Sequence, residues 1–401
     1  VTQAAVVGFL FLLAVSAIPT RRRQLAFAGE DFRAMTVRRS ALVSMPTPVR
    51  HHFEQASLPG PPFFDAVIIP SARGAENIRR AAETAANAGS YLVVLASERT
   101  TAVDVGHLLT HIGWSREKFA VLDRSRFAHA DKLRLRTFAS LYADGAGELS
   151  EKKNAGLLLA RMLGWRSVLF VDDDVQSIGR KQLRDAAGLL DGLDRAGAGR
   201  RLVGWAFDEF PDFSSVGYAR SYGTGEWRTF VSGGAMALRC DQDLLFFPPV
   251  YNEDMVLALE VLHGDPGATC VAGKLSQDEY DPFGDLRRVA RQEFGEVLVE
   301  GLVRAPGLAG AREPEFWRPV LLDRTAMLRQ VSARLNTLGV HDGERAVEAA
   351  LEAHRGHWPE ALAGFVSDWL QDLAVLREFQ RKLPSTTRLG AAAAGLSSAT
   401  P

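Results

Sequence analysis

Three consecutive carboxylates, Asp172, Asp173 and Asp174, follow directly on an apolar run, Val168-Leu169-Phe170-Val171. Acids side by side repel one another, and a cation among them relieves the repulsion. Oxygen-only donors suit Mg2+ or Mn2+, and an ion held by few carboxylates commonly also holds a phosphate. In extended backbone alternate side chains share a face, so Asp172 and Asp174 are expected on one side. Either one ligates the metal while the other takes a ribose or sugar hydroxyl, or both reach the metal through water. An acidic turn capping a helix near Ser177 is the plain structural alternative.

Other groups have the chemistry to complete such a site. Lys152-Lys153-Asn154-Ala155-Gly156 offers positive charge and an amide at a helix start, suited to phosphate or a base edge. Gly233 and Gly234 sit inside a strand-like run and leave room for a ligand to approach the backbone. Glu253-Asp254 precedes an apolar helix and can act as a general base toward a hydroxyl, or merely cap the helix. Gln277, Asp278 and Asp281 form a late cluster rich in oxygen ligands, able to complete the metal site or close over a ligand.

These residues need a scaffold, and the apolar runs supply one. Asp65–Pro70, Tyr91–Leu95, Phe119–Leu122 and the run before Asp172 read as buried strands. Helices are expected over Glu76–Ala86, Val103–Ile112, Lys132–Leu141 and Ser150–Leu163. The alternation argues for βαβ units and a mostly parallel sheet flanked by helices, an α/β fold. Ligands of such sheets bind outside the carboxyl ends of the strands, where Asp172–Asp174 fall. Leu202–Phe207, Thr229–Leu238 and Ala268–Ala272 read as further strands. The division expected is 1–62 apolar segment and basic, proline-rich linker, 63–305 catalytic domain, 306–384 helical subdomain, and 385–401 disordered tail.

Composition excludes some classes. The 401 residues are 47% hydrophobic and 24% charged with a net charge of −1, so no global field favours nucleic acid. The two cysteines have neither metal-ligand spacing nor a disulfide framework, and a reducing cytoplasm is the simplest setting. Ala4–Pro19 is nearly all apolar and Arg21-Arg22-Arg23 follows. It reads either as a short anchor to the inner face of a membrane or as sequence ahead of a true start at Met35 or Met45.

The order of these pieces resembles GT-A fold glycosyltransferases, especially the family 2-like group, over residues 64–300. The resemblance implies that Val67–Gly74, with Ser71 and Arg73, meets the nucleotide, as do Ser97 and Glu98. It sets Lys153 and Asn154 ahead of the Asp-x-Asp strand, among the donor contacts with Asp172 and Asp173. It assigns Asp172 and Asp174 to a Mg2+ or Mn2+ ion, completed by Gln277 or Asp281. Gly233-Gly234 lines the acceptor side, and Asp254 or Glu253 is the base of an inverting reaction. The implied donor is a UDP-, GDP- or dTDP-linked sugar, the acceptor a small molecule or glycan, and the C-terminal helices a candidate homodimer contact. A Gln-x-x-Arg-Trp motif and multiple membrane spans are absent, so polymer synthesis and export are not expected. The late metal-binding histidine of many retaining members has one candidate, His263, in a loop-like Leu-His-Gly-Asp context. Rival readings are a HAD-type phosphohydrolase with Asp172 as nucleophile, a sugar-nucleotide pyrophosphorylase, and a non-catalytic nucleotide-sugar-binding protein.

Overall fold

The computed structural model describes residues 61–124, 132–139, 147–194, 199–208, 213–224, 231–354 and 358–398. The apolar segment at 4–19 and its basic, proline-rich sequel up to residue 60 lie outside them, as do Thr229 and Phe230. No helix among the described residues is long and apolar enough to cross a membrane.

Short apolar runs make one sheet. Its strands are β1 (Ala66–Ser71), β2 (Tyr91–Ala96), β3 (Phe119–Asp123), β4 (Ser167–Val171), β5 (Leu202–Phe207), β6 (Ser232–Arg239) and β7 (Thr269–Leu275). Their order is β3-β2-β1-β4-β6-β5-β7. The pairs β1–β2, β1–β4, β2–β3 and β5–β7 are parallel, and β6 runs antiparallel to β4 and β5. The fold class expected from the sequence is therefore the one observed.

Between the strands lie α1 (Arg79–Ala88), α2 (Ala102–His111), α3 (Gly147–Leu163), α4 (Arg180–Leu190), α5 (Ser215–Thr224) and α6 (Glu253–Gly264). After β7 come α7 (Leu286–Arg304), α8 (Pro314–Leu338), α9 (His341–Ala353), α10 (Trp358–Lys382) and α11 (Leu389–Ser398). Strand residues alternate between the two faces. Val67, Ile69, Leu92, Val94, Leu169 and Val171 pack with α1, α2 and α4. Ala66, Ile68, Val93, Leu95, Val168 and Phe170 share a core with α3, α6, α7, α10 and α11. Helices on both faces explain why the strands are continuously apolar rather than alternating. A third cluster joins α5, α8 and α9 through Val216, Leu328, Val331 and Val347.

Two expectations give way for the same reason, a distant partner. Within the helix expected over Lys132–Leu141, Thr137–Ala139 is instead a 3-10 turn. Asp372 of α10 accepts from the main-chain N–H groups of Arg136 and Thr137, both at 2.9 Å, and from the Thr137 hydroxyl at 2.5 Å. Residues 389–398, expected to be disordered, form α11. Its Leu389, Ala392 and Leu396 are buried, and Thr386 N donates to Met162 O of α3 at 2.8 Å. An alanine-rich run needs only one apolar surface to become a stable helix, and α3 supplies it. Cys240 and Cys270 are buried and not joined in a disulfide.

Candidate active site

Strand β1 has β2 on one side and β4 on the other, so the connection reverses direction between β1 and β4. The crevice outside the carboxyl ends of two such strands is where open α/β sheets take ligands. Ser71-Ala72-Arg73-Gly74 leaves β1 there, and Asp172-Asp173-Asp174 leaves β4.

The acidic run does not stay extended. Asp172 N still donates to Gly234 O of β6 at 2.8 Å, but Val175 N folds back onto Asp172 O at 3.2 Å. That bond closes a tight turn through Asp173 and Asp174. The segment after β7 braces it, since Gln176 N donates to Ser276 O at 2.9 Å and Asp278 N to Asp174 O at 3.0 Å. The backbone there is a turn rather than extended, so strand alternation does not set which way Asp172 and Asp174 point. Asp173 and Asp174 instead converge on one cation, the Arg73 guanidinium, which bonds Asp173 Oδ1 and lies 3.0 Å from Asp174 Oδ2.

Asp173 is the anchored member. Its carboxylate is buried and accepts from the Ser71 hydroxyl at 2.6 Å. Ser71 Oγ lies 3.0 Å from Thr100 Oγ1, which also accepts from Gly74 N at 2.9 Å. Gly74 holds φ 121, a conformation side-chain-bearing residues rarely adopt, and this turns the chain so that Arg73 points back over the crevice. Burial would lower the Arg73 pKa, but the charges of Asp174 and Asp173 outweigh it and hold the guanidinium above its ordinary value.

Lys153 lies on the other side of the turn and is fully buried. Its Nζ donates to Glu253 Oε1 at 2.8 Å and stands 5.3 Å from the centre of the Phe247 ring. Burial would depress the ammonium pKa, yet Glu253, Asp172 and Asp254 together raise it above the ordinary lysine value. The neighbouring Asn154 spends both ends of its amide on the Phe247 main chain, at 2.9 and 2.8 Å. Neither side chain faces the open crevice, which corrects the expectation that Lys153 and Asn154 contact a donor. They instead fix the loop before α6 and the start of that helix.

The remaining expected residues divide clearly. Glu253 is buried against Lys153, whereas Asp254 packs on Gly233, where an added Cβ would come within 2.6 Å of the Asp254 Cβ, Cγ and Oδ2 atoms. Gly234 faces the Phe207 ring, 3.1 Å from where its Cβ would be. The glycine pair thus admits Asp254 on one side and an aromatic ring on the other. Asn252, at φ 65, starts α6 in the left-handed region and donates to Glu296 Oε1 at 3.1 Å.

At the ends of β2 and β3, a cleft of about 310 Å³ is lined by Ser97, Glu98, Thr100, Asp123, Arg124 and Glu148, among others. Ser97 donates to Glu148 and receives a bond from Lys152 Nζ at 2.6 Å. Lys152 also pairs with Glu148 at 2.8 Å and donates to Ser71 O at 3.1 Å, which ties this cleft to the β1 turn. Burial would raise the Glu148 pKa, but bonds from Lys152 and Ser97 and the charges of Lys152 and Arg124 lower it. Glu98 is exposed with φ 47. Glu148 and Thr100 are not among the site residues expected from the sequence, whereas Lys152 belongs to the basic stretch singled out there. The i,i+4 spacing of Glu148 and Lys152 on α3 was the available signal.

Gln277 lies alongside the acidic turn through its main-chain bridge to Val175. Asp281 does not join it by any bond described. It accepts from Phe283 N at 2.9 Å in its own exposed turn. His263 lies in the last turn of α6, not in a loop, and the rise of that helix puts it roughly 15 Å from Glu253. Among the described residues no three His, Cys, Asp or Glu side chains converge as a closed metal cage. An open site needs no cage: Mg2+-type ions are held by one or two carboxylates, with waters and substrate phosphates completing the shell. The guanidinium lodged between Asp173 and Asp174 shows that this pair accommodates a cation, and its all-oxygen donors fit a hard divalent ion.

No family model and no curated protein sequence matches the chain. Similar solved structures include glucosyl-3-phosphoglycerate synthase from Mycobacterium tuberculosis. Its complex with Mn2+, uridine diphosphate and phosphoglyceric acid aligns at 16% identity and a TM-score of 0.39, over 59% of this chain and 78% of that one. Its complex with Mn2+, UDP-glucose and phosphoglyceric acid aligns at 16% identity and a TM-score of 0.39, over 59% and 79%. A likeness of this size bears on no residue or reaction of this chain.

Proposed function

We propose that the protein is a metal-dependent glycosyltransferase of the GT-A kind, moving a sugar from a nucleoside-diphosphate donor to a hydroxyl acceptor with inversion. One observation carries the reading. The β1 and β4 ends bring Arg73, Asp173 and Asp174 to one crevice, and Asp254 packs on Gly233 of β6, whose neighbour Gly234 accepts from Asp172 N. In this reading the catalytic unit spans 63–305 and the helices of 306–384 buttress it.

Asp174 and Asp173 would hold a Mg2+ or Mn2+ ion, with Gln277 alongside. When bound, that ion neutralises charge on the departing diphosphate. Ser97 and Glu98 face the nucleoside from the β2 end. Arg73 gives the diphosphate a planar, two-pronged donor. Asp172, on the Lys153 side of the turn, faces the sugar. Asp254 accepts the proton of the attacking hydroxyl. Its neighbour Glu253 is occupied by Lys153, so the base role falls to one carboxylate of the pair.

The test is turnover of UDP-, GDP- and dTDP-sugars, as transfer or as slow hydrolysis, in the presence of Mn2+. Asp174→Ala is expected to abolish it. Asp254→Asn is expected to lower turnover by roughly 10²–10⁴-fold with donor affinity nearly unchanged. Turnover at the parent rate in both variants would overturn the reading. No metal-dependent thermal stabilisation by any nucleotide sugar would do the same.

A further inference from the structure

A guanidinium and a divalent cation cannot share the same two carboxylate oxygens. Arg73 lies against Asp173 Oδ1 and 3.0 Å from Asp174 Oδ2, the oxygens that the crevice presents. The three partners differ in freedom. The Asp173 side chain is 4% exposed and tethered by Ser71, whereas the Arg73 side chain is 48% exposed. Asp173 is therefore fixed, and the guanidinium is the partner most open to water. The exposed flank of Arg73 opens to the same crevice in which a diphosphate would lie.

We propose that Arg73 is the resident counter-ion of the acidic turn, holding the metal's place in the nucleotide-free protein and releasing it when a diphosphate takes up the guanidinium. The inference rests on the metal site proposed above and adds a consequence for binding order. Metal alone must displace Arg73 into water. Metal with diphosphate gives Arg73 a new anionic partner, so each ligand strengthens the other. Coupling of this kind is reciprocal and typically amounts to 5–150-fold.

The experiment is Mn2+ binding followed by electron paramagnetic resonance, with no sugar and no turnover. The parent protein, Arg73→Gln and Arg73→Lys are titrated with Mn2+ alone, then with UDP or GDP. Arg79→Gln, which removes an exposed arginine paired with Glu76, controls for net charge. The expected result is that Arg73→Gln binds Mn2+ alone about tenfold more tightly than the parent. Its gain from nucleotide should shrink, and Arg79→Gln should match the parent. Arg73→Lys, still cationic, should fall between. Equal Mn2+ affinity in the parent and Arg73→Gln, each binding measurably, overturns the counter-ion role and leaves the metal site standing. No Mn2+ binding in any protein at millimolar metal, with or without nucleotide, overturns both.

Discussion

Arg73 and Arg324 each gather more than one carboxylate, and burial sets them apart. Arg73 spans Asp173 and Asp174 at the mouth of the crevice with half its side chain in water. Arg324 of α8 is almost wholly enclosed. It makes a two-pronged pair with Glu293 at 2.8 and 2.7 Å, reaches Glu300 at 2.6 Å, and lies 3.5 Å from Glu296. His354 adds a bond to Glu293 at 2.8 Å. Burial would push Glu293 upward, but Arg324 and His354 hold it below the usual carboxylate range. For Glu296 burial wins, and its pKa is raised despite Arg324. The same ionic chemistry thus serves two ends. Where water can replace either partner, the pair is exchangeable and suits a ligand site. Where water cannot enter, the pair is a permanent tie. The tie has an address: Glu296 holds Asn252, the residue that starts the helix carrying Glu253 and Asp254.

The contrast breaks if the two arginines cost the same to remove. Arg324→Leu strands Glu293 in the core and is expected to cost about 3–5 kcal/mol, read as the shift in a denaturant midpoint. Gly233→Ala places a Cβ within 2.6 Å of Asp254 and is expected to cost about 1–3 kcal/mol while displacing the proposed base. Circular dichroism melts and turnover measured together would separate the two effects. Arg73→Gln should cost about 1 kcal/mol or less, because half of the Arg73 side chain is in water and Ser71 still donates to the buried Asp173. A loss near that of Arg324→Leu would make Arg73 a structural residue.

The smallest expected effect concerns pH. Among the described residues neither ring nitrogen of His263 has a hydrogen-bond partner, and burial lowers its pKa. The unfolded chain therefore takes up that proton first as pH falls through about 6.5, and folded stability drops over that interval. Melting temperatures of the parent should decline more steeply from pH 7.5 to 5.5 than those of His263→Gln. Parallel profiles would assign the acid sensitivity elsewhere.

Much of this was legible along the chain. Four apolar residues ending in Asp172 announced a buried strand, and β4 is that strand. The Gly-Gly run and the Glu-Asp pair were separately visible, and the fold brings Asp254 onto Gly233. The partners were not legible. Asp172 and Asp174 read as an alternating pair if the backbone is extended, whereas the bond from Val175 N to Asp172 O turns the chain there. Lys153 looked like a phosphate ligand because a lysine at a helix start carries no mark of burial. Its side chain is buried against Glu253, a hundred positions away. The turn at Thr137 and helix α11 differ from expectation for the same reason, since Asp372 and α3 reach them only in three dimensions.

The sequence by itself determined the strands, the helices between them and the acidic run at a strand end, because periodicity and apolar content are local properties. Only the tertiary structure decided which carboxylate is anchored, which is the available base and which cation stands among them. Those choices depend on burial and on contacts between β1, β4, β6 and α6, and the free energy of a charge follows from the partners and water around it rather than from its neighbours in the chain.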